Sequence, residues 1–550
     1  MIEEMAGGIL AVIPARKGSK GIPRKNIRPL DGEPLVGYAL QKSQQASVVD
    51  AVALTTDSQE IANIGRKYDV DMVIERPHRL ATDEVPLAPV VQHAFEEAGE
   101  GFEYILCYQP TVPLLSVSSL ESGVQAAVEE GSQSSIFVRD STHHYWKYQS
   151  GEYIPVTPDR MNRQQLDPIY EEIGVFLSHR DLVAAGNRIG DSPDFFEVGP
   201  LEGIDIDTYG DWLLAESQLQ RKELVYRVTG DEKTGTGHIY RGLTIADHLL
   251  YHDIIFVVQP SDTVAIEKLE ESNYPYEVVE DDHSFISVLE VDPPDVVAND
   301  ILDTTAEYIE SLAQLGVRVV NFEDLGSGMR QADAVINALY EHSHPPSNHY
   351  FGFEYFCLRN EFRFAEKTDS IPSVERLMIS FGGSDENDLT AKTLRALSTL
   401  DIPLEIEVVL GLGYDNHETL EPLIAEYSTA VDVSVHQEVE RMADHMEQAD
   451  LLVTSNGRTV YEAAALNLPV ISIAQNQREL KHPFAHISRG ILSLGQAKYV
   501  TEANIELAVE ELIQDRDQRE AMRQSLADHD IETGLDRIID ILVGADDEDW

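Results

Sequence analysis

Short apolar runs recur along this chain at intervals that leave room for one amphipathic helix between them, and that spacing restricts the fold to layered α/β architecture. Gly8-Ile-Leu-Ala-Val-Ile-Pro14, Ala51-Val-Ala-Leu-Thr-Thr56, Tyr104-Ile-Leu-Cys-Tyr108 and Ser135-Ile-Phe-Val138 read as buried strands with helical patterns between them. Continuous apolar runs of this length suit strands covered on both faces, and the alternation implies a mostly parallel sheet. The pattern closes with a helical stretch from Asp211 to Gln220. A fresh strand, Glu223-Leu-Val-Tyr-Arg-Val228, then opens a second unit, so a boundary falls near Arg221. That unit carries strands at 254–258, 317–322 and 334–336. A third begins after Lys367-Thr-Asp-Ser-Ile-Pro372, with strands at 377–381, 406–410, 451–454 and 470–474. The expected organisation is one domain over 1–221, two tandem lobes over 222–367 and 368–544 with a ligand cleft between them, and an acidic tail at 545–550, read as disordered. A chain of 550 residues is too long for a single core.

Acids outnumber bases 97 to 41, giving a formal net charge of -56 spread along nearly the whole length. Molar salt screens such self-repulsion to within roughly 3 Å, so the surface reads as that of an intracellular protein from a high-salt organism. No basic face is long enough to track a phosphate backbone, which argues against nucleic acid as a partner. Cys107 and Cys357 lie far apart in apolar surroundings and read as buried free thiols in a reducing compartment. No apolar stretch approaches the ~18 residues of a membrane span, and the start Met-Ile-Glu-Glu-Met lacks the basic and apolar regions of a signal peptide. A cytoplasmic location is the expectation.

Against this acidity, six cations and no acid lie between Arg16 and Arg28, in Ala15-Arg-Lys-Gly-Ser-Lys-Gly-Ile-Pro-Arg-Lys-Asn-Ile-Arg28. A segment that resists so strong a bias faces an anion. It leaves the C-terminal end of the first strand, the edge where open α/β sheets bind ligands. Gly18 and Gly21 let backbone N–H groups approach a phosphate, and Arg16, Lys20 and Lys25 neutralise its charge. Downstream stand Arg76-Pro77, Gln109-Pro-Thr-Val-Pro-Leu114, Asn162-Arg163-Gln164, Asp205-Ile206-Asp207 and Asp211-Trp212.

Together these motifs closely resemble the acylneuraminate (CMP-sialic or pseudaminic acid) cytidylyltransferase family over residues 8 to 220. The resemblance implies a glycosyltransferase-A-like, Rossmann-type domain that joins a nonulosonic acid to CTP and releases pyrophosphate. It assigns Ala15, Arg16, Gly18, Ser19, Lys20, Lys25, Asn26 and Arg76 to CTP, with Arg16 and Lys20 catalytic, and Gln109, Arg163 and Gln164 to the sugar. Arg163 is suited to a bidentate pair with an α-keto-acid carboxylate. Asp205 and Asp207, two apart on an expected strand, point to one face, and paired carboxylates suit Mg²⁺; an exposed acidic pair is the plain alternative. The sequence departs from the family pattern at Lys17, Val112, Leu115 and Ile173, and the last three are read as signs of an altered sugar pocket.

In the second unit Gly235-Thr-Gly-His-Ile-Tyr-Arg241 feeds a helical pattern, placing His238 near a positive helix end with Arg241 one turn on and on the same face. Gly352-Phe-Glu-Tyr-Phe-Cys-Leu-Arg-Asn-Glu-Phe362, Ser380-Phe-Gly-Gly-Ser-Asp385, Gly411-Leu-Gly413 and Ser455-Asn-Gly-Arg-Thr-Val-Tyr-Glu462 follow. This series resembles the UDP-sugar hydrolase of pseudaminic acid synthesis, a relative of the MurG glycosyltransferases with the two-lobed glycosyltransferase-B fold, over about 224 to 540. The resemblance implies catalysis by His238 as acid or base, and UDP held by Gly235, Gly237, Arg241, Gly382, Gly383, Ser384, Thr459 and Glu462. Asn456 and Arg458 replace small residues in that family's Gly-rich turn, and Arg458 either adds a phosphate contact or blocks the pose.

The joint resemblance implies a bifunctional enzyme flanking a phosphoenolpyruvate-dependent nonulosonate synthase, which it predicts as a partner, and a homodimer. Two other readings of residues 222–544 stand beside it: a glycosyltransferase, and a non-catalytic sugar-nucleotide-binding module. The identity of the nonulosonic acid is open between pseudaminic, legionaminic and sialic acids.

Overall fold

In the computed structural model, which describes residues 7–544 apart from 19–20, 83, 100, 158–160, 232–234, 401, 428–431, 438, 440 and 487–488, Gly8–Pro14 is the central strand of a seven-stranded sheet. The strand order is Asp194–Val198, Ser134–Asp140, Tyr170–His179, Phe102–Tyr108, Gly8–Pro14, Ala51–Thr56, Met72–Glu75. All pairings are parallel except those of Tyr170–His179, which runs antiparallel to both neighbours. Both faces of the central strand are covered. Ile9, Ala11 and Ile13 pack with Val36 and Leu40 of the helix Leu35–Gln45, while Leu10 and Val12 pack with Val91, Ala94 and Phe95 of the helix Leu87–Ala98. That two-sided burial explains the unbroken apolar run, each large side chain contributing roughly 1.5–3 kcal/mol. Consecutive strands lie on either side of Gly8–Pro14, so the order reverses at its C-terminal end, and the basic loop leaves from that switch point.

The chain divides into two compact units, residues 1–221 and 222–550. In the second, two parallel sheets repeat one plan. The first has the order Tyr276–Val278, Asp253–Val258, Glu223–Val228, Val296–Asp300, Arg318–Phe322, Ala334–Asn337, His349–Phe351. The other has the order Asp432–Gln437, Glu405–Leu410, Arg376–Ser380, Leu451–Thr454, Val470–Ala474, Ile491–Gln496. In each, the first strand lies between the second and fourth, so each has a switch point at the first strand's C-terminal end. The expected α/β class is therefore what the chain adopts, with strands such as Val296–Asp300 and Ile491–Gln496 added to those legible from sequence.

The lobes exchange elements. Leu535, Ile538 and Leu542 of the helix Gly534–Val543, a stretch the sequence reading assigned to the last lobe, pack into the first lobe's core beside Leu224 and Tyr226. Conversely, Phe356 and Phe362 enter the second lobe's core, where the Phe356, Tyr461 and Phe484 rings stack at 4.4 and 4.3 Å. Gly534 is required at this crossing, because a Cβ there would lie 2.3 Å from the Phe356 carbonyl oxygen. The tail 545–550 lies outside the described residues.

Candidate functional site

In the first unit the basic loop and the distant carboxylates meet. The Lys25 ammonium donates to the Ile206 carbonyl (2.5 Å) and lies 3.2 Å from Asp207 Oδ1. Asn26 Nδ2 donates to the Arg16 carbonyl at 2.9 Å, and the Lys17 N–H donates to Asp57 at 2.9 Å, so the loop is bolted to the sheet edge while its charged heads stay near the surface. Ala15 is buried, its N–H donating to the Thr55 carbonyl. Gly18 has open space around it, whereas a Cβ at Gly21 would meet the Asp207 carbonyl at 2.5 Å; Gly21 serves the close approach of loop to carboxylate segment. Ser19 and Lys20 lie outside the described residues.

The sequence expectation that Asp205 and Asp207 sit on a strand is corrected. They occupy an extended segment outside any strand, tied to the Gln109–Leu114 turn by the Ile206 N–H donating to the Thr111 carbonyl (2.8 Å). Next to that bond, Lys42 Nζ donates to the Pro113 carbonyl, and burial holds its ammonium down to about 8. One ladder bond cannot make a strand, but it suffices to aim the acids. Asp205 Oδ1 is buried with no hydrogen-bond partner, while Asp207 is exposed. Burial, and then the nearby Asp207 charge, push the Asp205 carboxyl above its ordinary range; the Thr111 hydroxyl and Lys25 oppose this. An orphaned, desolvated carboxylate oxygen beside a second carboxylate is an oxygen-donor set that fits Mg²⁺.

The remaining sequence-predicted residues fall less close together. Arg76 is 5% exposed and spends its guanidinium on Thr55, donating to its carbonyl at 2.7 Å; burial lowers it to about 10. It therefore supports the strand end beneath the loop. Gln109 Nε2 donates to the Gly174 carbonyl (3.3 Å), and Gly174, at φ 72°, leaves no room for a Cβ beside that amide. Arg163 and Gln164 are exposed in a short turn, with Arg163 Nε donating to the Thr142 carbonyl (2.9 Å). Val112, Leu115 and Ile173, read from sequence as signs of an altered sugar pocket, are fully buried in the core.

In the second unit a cleft of about 540 Å³ opens between the two switch points. His238 is the second residue of the helix Gly237–His248, and its Nδ1 is hydrogen-bonded to Asp300 at the end of Val296–Asp300. Asp300, fully buried, also accepts from Arg241 Nε at 2.7 Å and from the Tyr226 hydroxyl at 2.9 Å. Arg241 Nη1 donates to Glu323 Oε1, which Arg458 Nη1 reaches from the other lobe at 3.1 Å. Burial alone would raise the Asp300 carboxyl, but the Arg241 guanidinium, and then His238, overcome this and hold it well below the usual carboxylate range. Arg241 and Arg458 likewise outweigh burial at Glu323 and bring it to about 2. Arg241, assigned to nucleotide from sequence, lines this cleft, and its guanidinium donates to Asp300 and Glu323 beside His238.

Arg458 lines the cleft. It spans the cleft to Glu323, with its guanidinium 5.3 Å from the Phe356 ring centroid. A Cβ at Gly237 would meet its Cδ at 3.0 Å, which explains the second glycine of the Gly-x-Gly-His turn. Gly235 has φ 83° and open space around it. Gly382, at φ 79°, turns the chain after Arg376–Ser380, and Gly411 packs on it so closely that a Cβ would lie 2.2 Å from the Gly382 carbonyl. The expected strand-to-helix turn is longer than the sequence suggested. The helix Leu389–Leu397 starts well past Ser384, and Asp385 caps it by accepting from the Leu389 and Thr390 N–H groups, so its positive end already holds an anion. Gly382, Gly383 and Ser384 line the cleft in a loop that the Gly413 N–H ties down by donating to the Gly383 carbonyl (2.9 Å). Thr459 starts the helix Thr459–Ala465 and lines the cleft with Glu462, which is no solvated acid: it is 8% exposed and accepts from Arg359 Nε and Nη2 at 3.0 and 2.9 Å.

His482, which sequence reasoning missed, also lines the cleft. Its Nδ1 donates to the Asn456 carbonyl at 2.7 Å, so the buried, unpartnered Nε2 carries the lone pair. Burial lowers its titration, keeping it neutral and an acceptor.

Residues 10–164, within the first unit, match the cytidylyltransferase family model. Among characterised relatives, the chain is 30% identical over 148 residues to the pseudaminic acid cytidylyltransferase of Campylobacter jejuni, covering 26% of this chain and 62% of that one. It is 29% identical over 231 residues to the CMP-N,N'-diacetyllegionaminic acid synthase of Legionella pneumophila, covering 38% and 96%. The uncharacterized protein MJ1062 of Methanocaldococcus jannaschii is 30% identical over 265 residues, 45% of this chain and 54% of that one. The chain thus spans about half to three fifths of the length of two of these relatives. Among solved structures, MurG of Acinetobacter baumannii aligns over 58% of this chain and 99% of its own, at 17% identity and a TM-score of 0.45.

Proposed function

We propose that the first unit transfers the cytidylyl group of CTP to a nonulosonic acid and releases pyrophosphate. The observation that carries this reading is the meeting of Lys25 with Asp205 and Asp207 at the sheet's switch point, with one Asp205 oxygen buried and unpartnered. Mg²⁺ held by Asp205 and Asp207 would supply Lewis-acid neutralisation of the triphosphate. Arg16, Lys20 and the Gly18 amide bind the phosphates, and Lys25 and Asn26 fix the loop around Arg16. Gln109, Arg163 and Gln164 orient the sugar so that its anomeric hydroxyl attacks the α-phosphate. The bond from that phosphorus to pyrophosphate breaks, and the hydroxyl proton passes through water to solvent or to the departing pyrophosphate. Sugar-dependent pyrophosphate release tests the assignment.

For the second unit we infer a UDP-sugar hydrolase. His238, oriented through Nδ1 by Asp300, accepts a proton from water attacking the anomeric carbon, and UDP departs into the loop of Gly382, Gly383 and Ser384, with Thr459 and Glu462 beyond it. The supporting observation is the buried Asp300 behind the histidine, an orienting partner that a purely structural capping histidine does not need. Incubation with UDP-sugars, with and without a sugar acceptor, separates three outcomes: UDP release without acceptor supports hydrolysis, acceptor-dependent release a glycosyltransferase, and binding without turnover a sensor.

The net charge of -56 further supports a high-salt working environment. The expected result is a thermal midpoint that rises as KCl is raised from ~0.15 to ~2 M, beyond the range in which isolated surface pairs are screened; a midpoint that falls would contradict it.

A further inference from the structure

Glu407, His436 and His445 form a cluster in the second unit that the nucleotide reading leaves unused. Glu407 stands on Glu405–Leu410, His436 on the neighbouring edge strand Asp432–Gln437, and His445 on the helix Met442–Met446. The strand register sets His436 beside Val409, two residues along from Glu407 and therefore on the same face of the sheet. Glu407 Oε1 lies 2.6 Å from His445 Nδ1 and 3.3 Å from His436 Nε2. The imidazole centroids are 5.1 Å apart, and all three donor atoms fall within 4.8 Å of one another. Among the described residues, the ion-pair partners of Glu407 are these two histidines, with no Lys or Arg in that role.

We propose that Glu407, His436 and His445 bind one Zn²⁺-class transition-metal ion, with the fourth position open to water. Two borderline imidazole nitrogens with one carboxylate oxygen suit zinc and its neighbours, whereas the nitrogen pair does not suit Mg²⁺, which takes oxygen. In a tetrahedral shell with bonds of about 2.1 Å, ligand atoms sit roughly 3.4 Å apart. The Glu407–His436 separation already matches, and the Glu407–His445 hydrogen bond opens by less than about 1 Å when a metal replaces its proton. The side chains are 25%, 42% and 23% exposed for Glu407, His436 and His445, shielded yet reachable by an ion from solvent. Three elements from separate stretches of chain would be stapled together. One of them carries Met442, which with Val409 lines the nucleotide cleft, so the ion would brace that wall.

The test uses the full chain, stripped of metal with a chelator, in excess Mg²⁺ so that the carboxylate pair of the first unit does not compete. Co²⁺ is titrated as the spectroscopic probe and Zn²⁺ as the competitor. The expected result is one equivalent of Co²⁺ with the strong visible bands of a four-coordinate site, its displacement by Zn²⁺, and a rise in thermal midpoint. His436→Ala, at an exposed position that folding tolerates, and Glu407→Gln should each weaken binding at least about tenfold. Binding should also fade as pH drops and the imidazoles protonate. Absence of saturable Co²⁺ binding, or binding unchanged in both variants, would overturn the proposal.

Discussion

Asp205→Asn should lower cytidylyl transfer by about 10²- to 10³-fold, the scale on which one preorganised electrostatic group acts in a transition state, and should leave the thermal midpoint unchanged or higher. The two halves of the expectation have one source. Asp205 is a half-buried carboxylate whose Oδ1 has no partner and whose charge faces Asp207 two residues away. In the absence of a cation such a group costs stability, because burial opposes the charged form and the like charge adds to it. Removing the charge relieves that cost and removes a ligand of the proposed Mg²⁺. A merely structural acid would show the reverse, a lower midpoint with little change in turnover. Assay of pyrophosphate release alongside thermal denaturation, on the same preparation, distinguishes the two.

The second large effect falls on Asp300. This carboxylate is fully buried and compensates Arg241 and His238 together, so Asp300→Ala leaves an inadequately paired guanidinium in the interior. The expected cost is about 3–5 kcal/mol in the second unit, with UDP-sugar turnover reduced by about 10²- to 10⁴-fold through loss of an oriented base. Asp300→Asn keeps the shape while losing the charge. It should recover part of the stability and little of the turnover, which a packing role alone would not predict.

The same groups fix the pH dependence. Folding lowers the carboxyls of Asp300 and Glu323, the latter to about 2. Lowered carboxyl values contribute stability that is fully present above the unfolded values of about 4, and that is lost as pH falls through the folded ones. Acid unfolding of the second unit should therefore begin near pH 4 and steepen below it. In Asp300→Asn that transition should be shallower, as followed by circular dichroism between pH 6 and 2.

The fold was largely legible because burial on both sheet faces writes itself as apolar runs, as in Gly8–Pro14 and Leu451–Thr454. Asp205 and Asp207 do not lie on the strand that their spacing suggests: their segment is joined to the Gln109–Leu114 turn by the Ile206-to-Thr111 backbone bond and lies outside any sheet. His238 and Arg241 were read as neighbours on one helix face, and they are, whereas Asp300 was missed. Its signal lies in Val296-Val-Ala-Asn-Asp300, an apolar strand ending in polar residues at the ligand edge of the sheet. Glu323 has the same position after Arg318–Phe322. His482 carried no local signal: its meaning comes from the Asn456 carbonyl 26 residues away in sequence. From sequence Arg458 reads as either a phosphate contact or an obstacle, because its partner, Glu323, belongs to the other lobe. Local periodicity reports elements well, and charges paired across the cleft only after the chain is folded.

The most direct measurement is pyrophosphate released from CTP by the full chain with Mg²⁺ in high KCl, against a panel of pseudaminic, legionaminic and sialic acids, with Asp207→Ala alongside. The account predicts release that depends on one class of these sugars and is lost in the variant. Silence across the panel from folded protein, or release that ignores both sugar and Asp207, would contradict it.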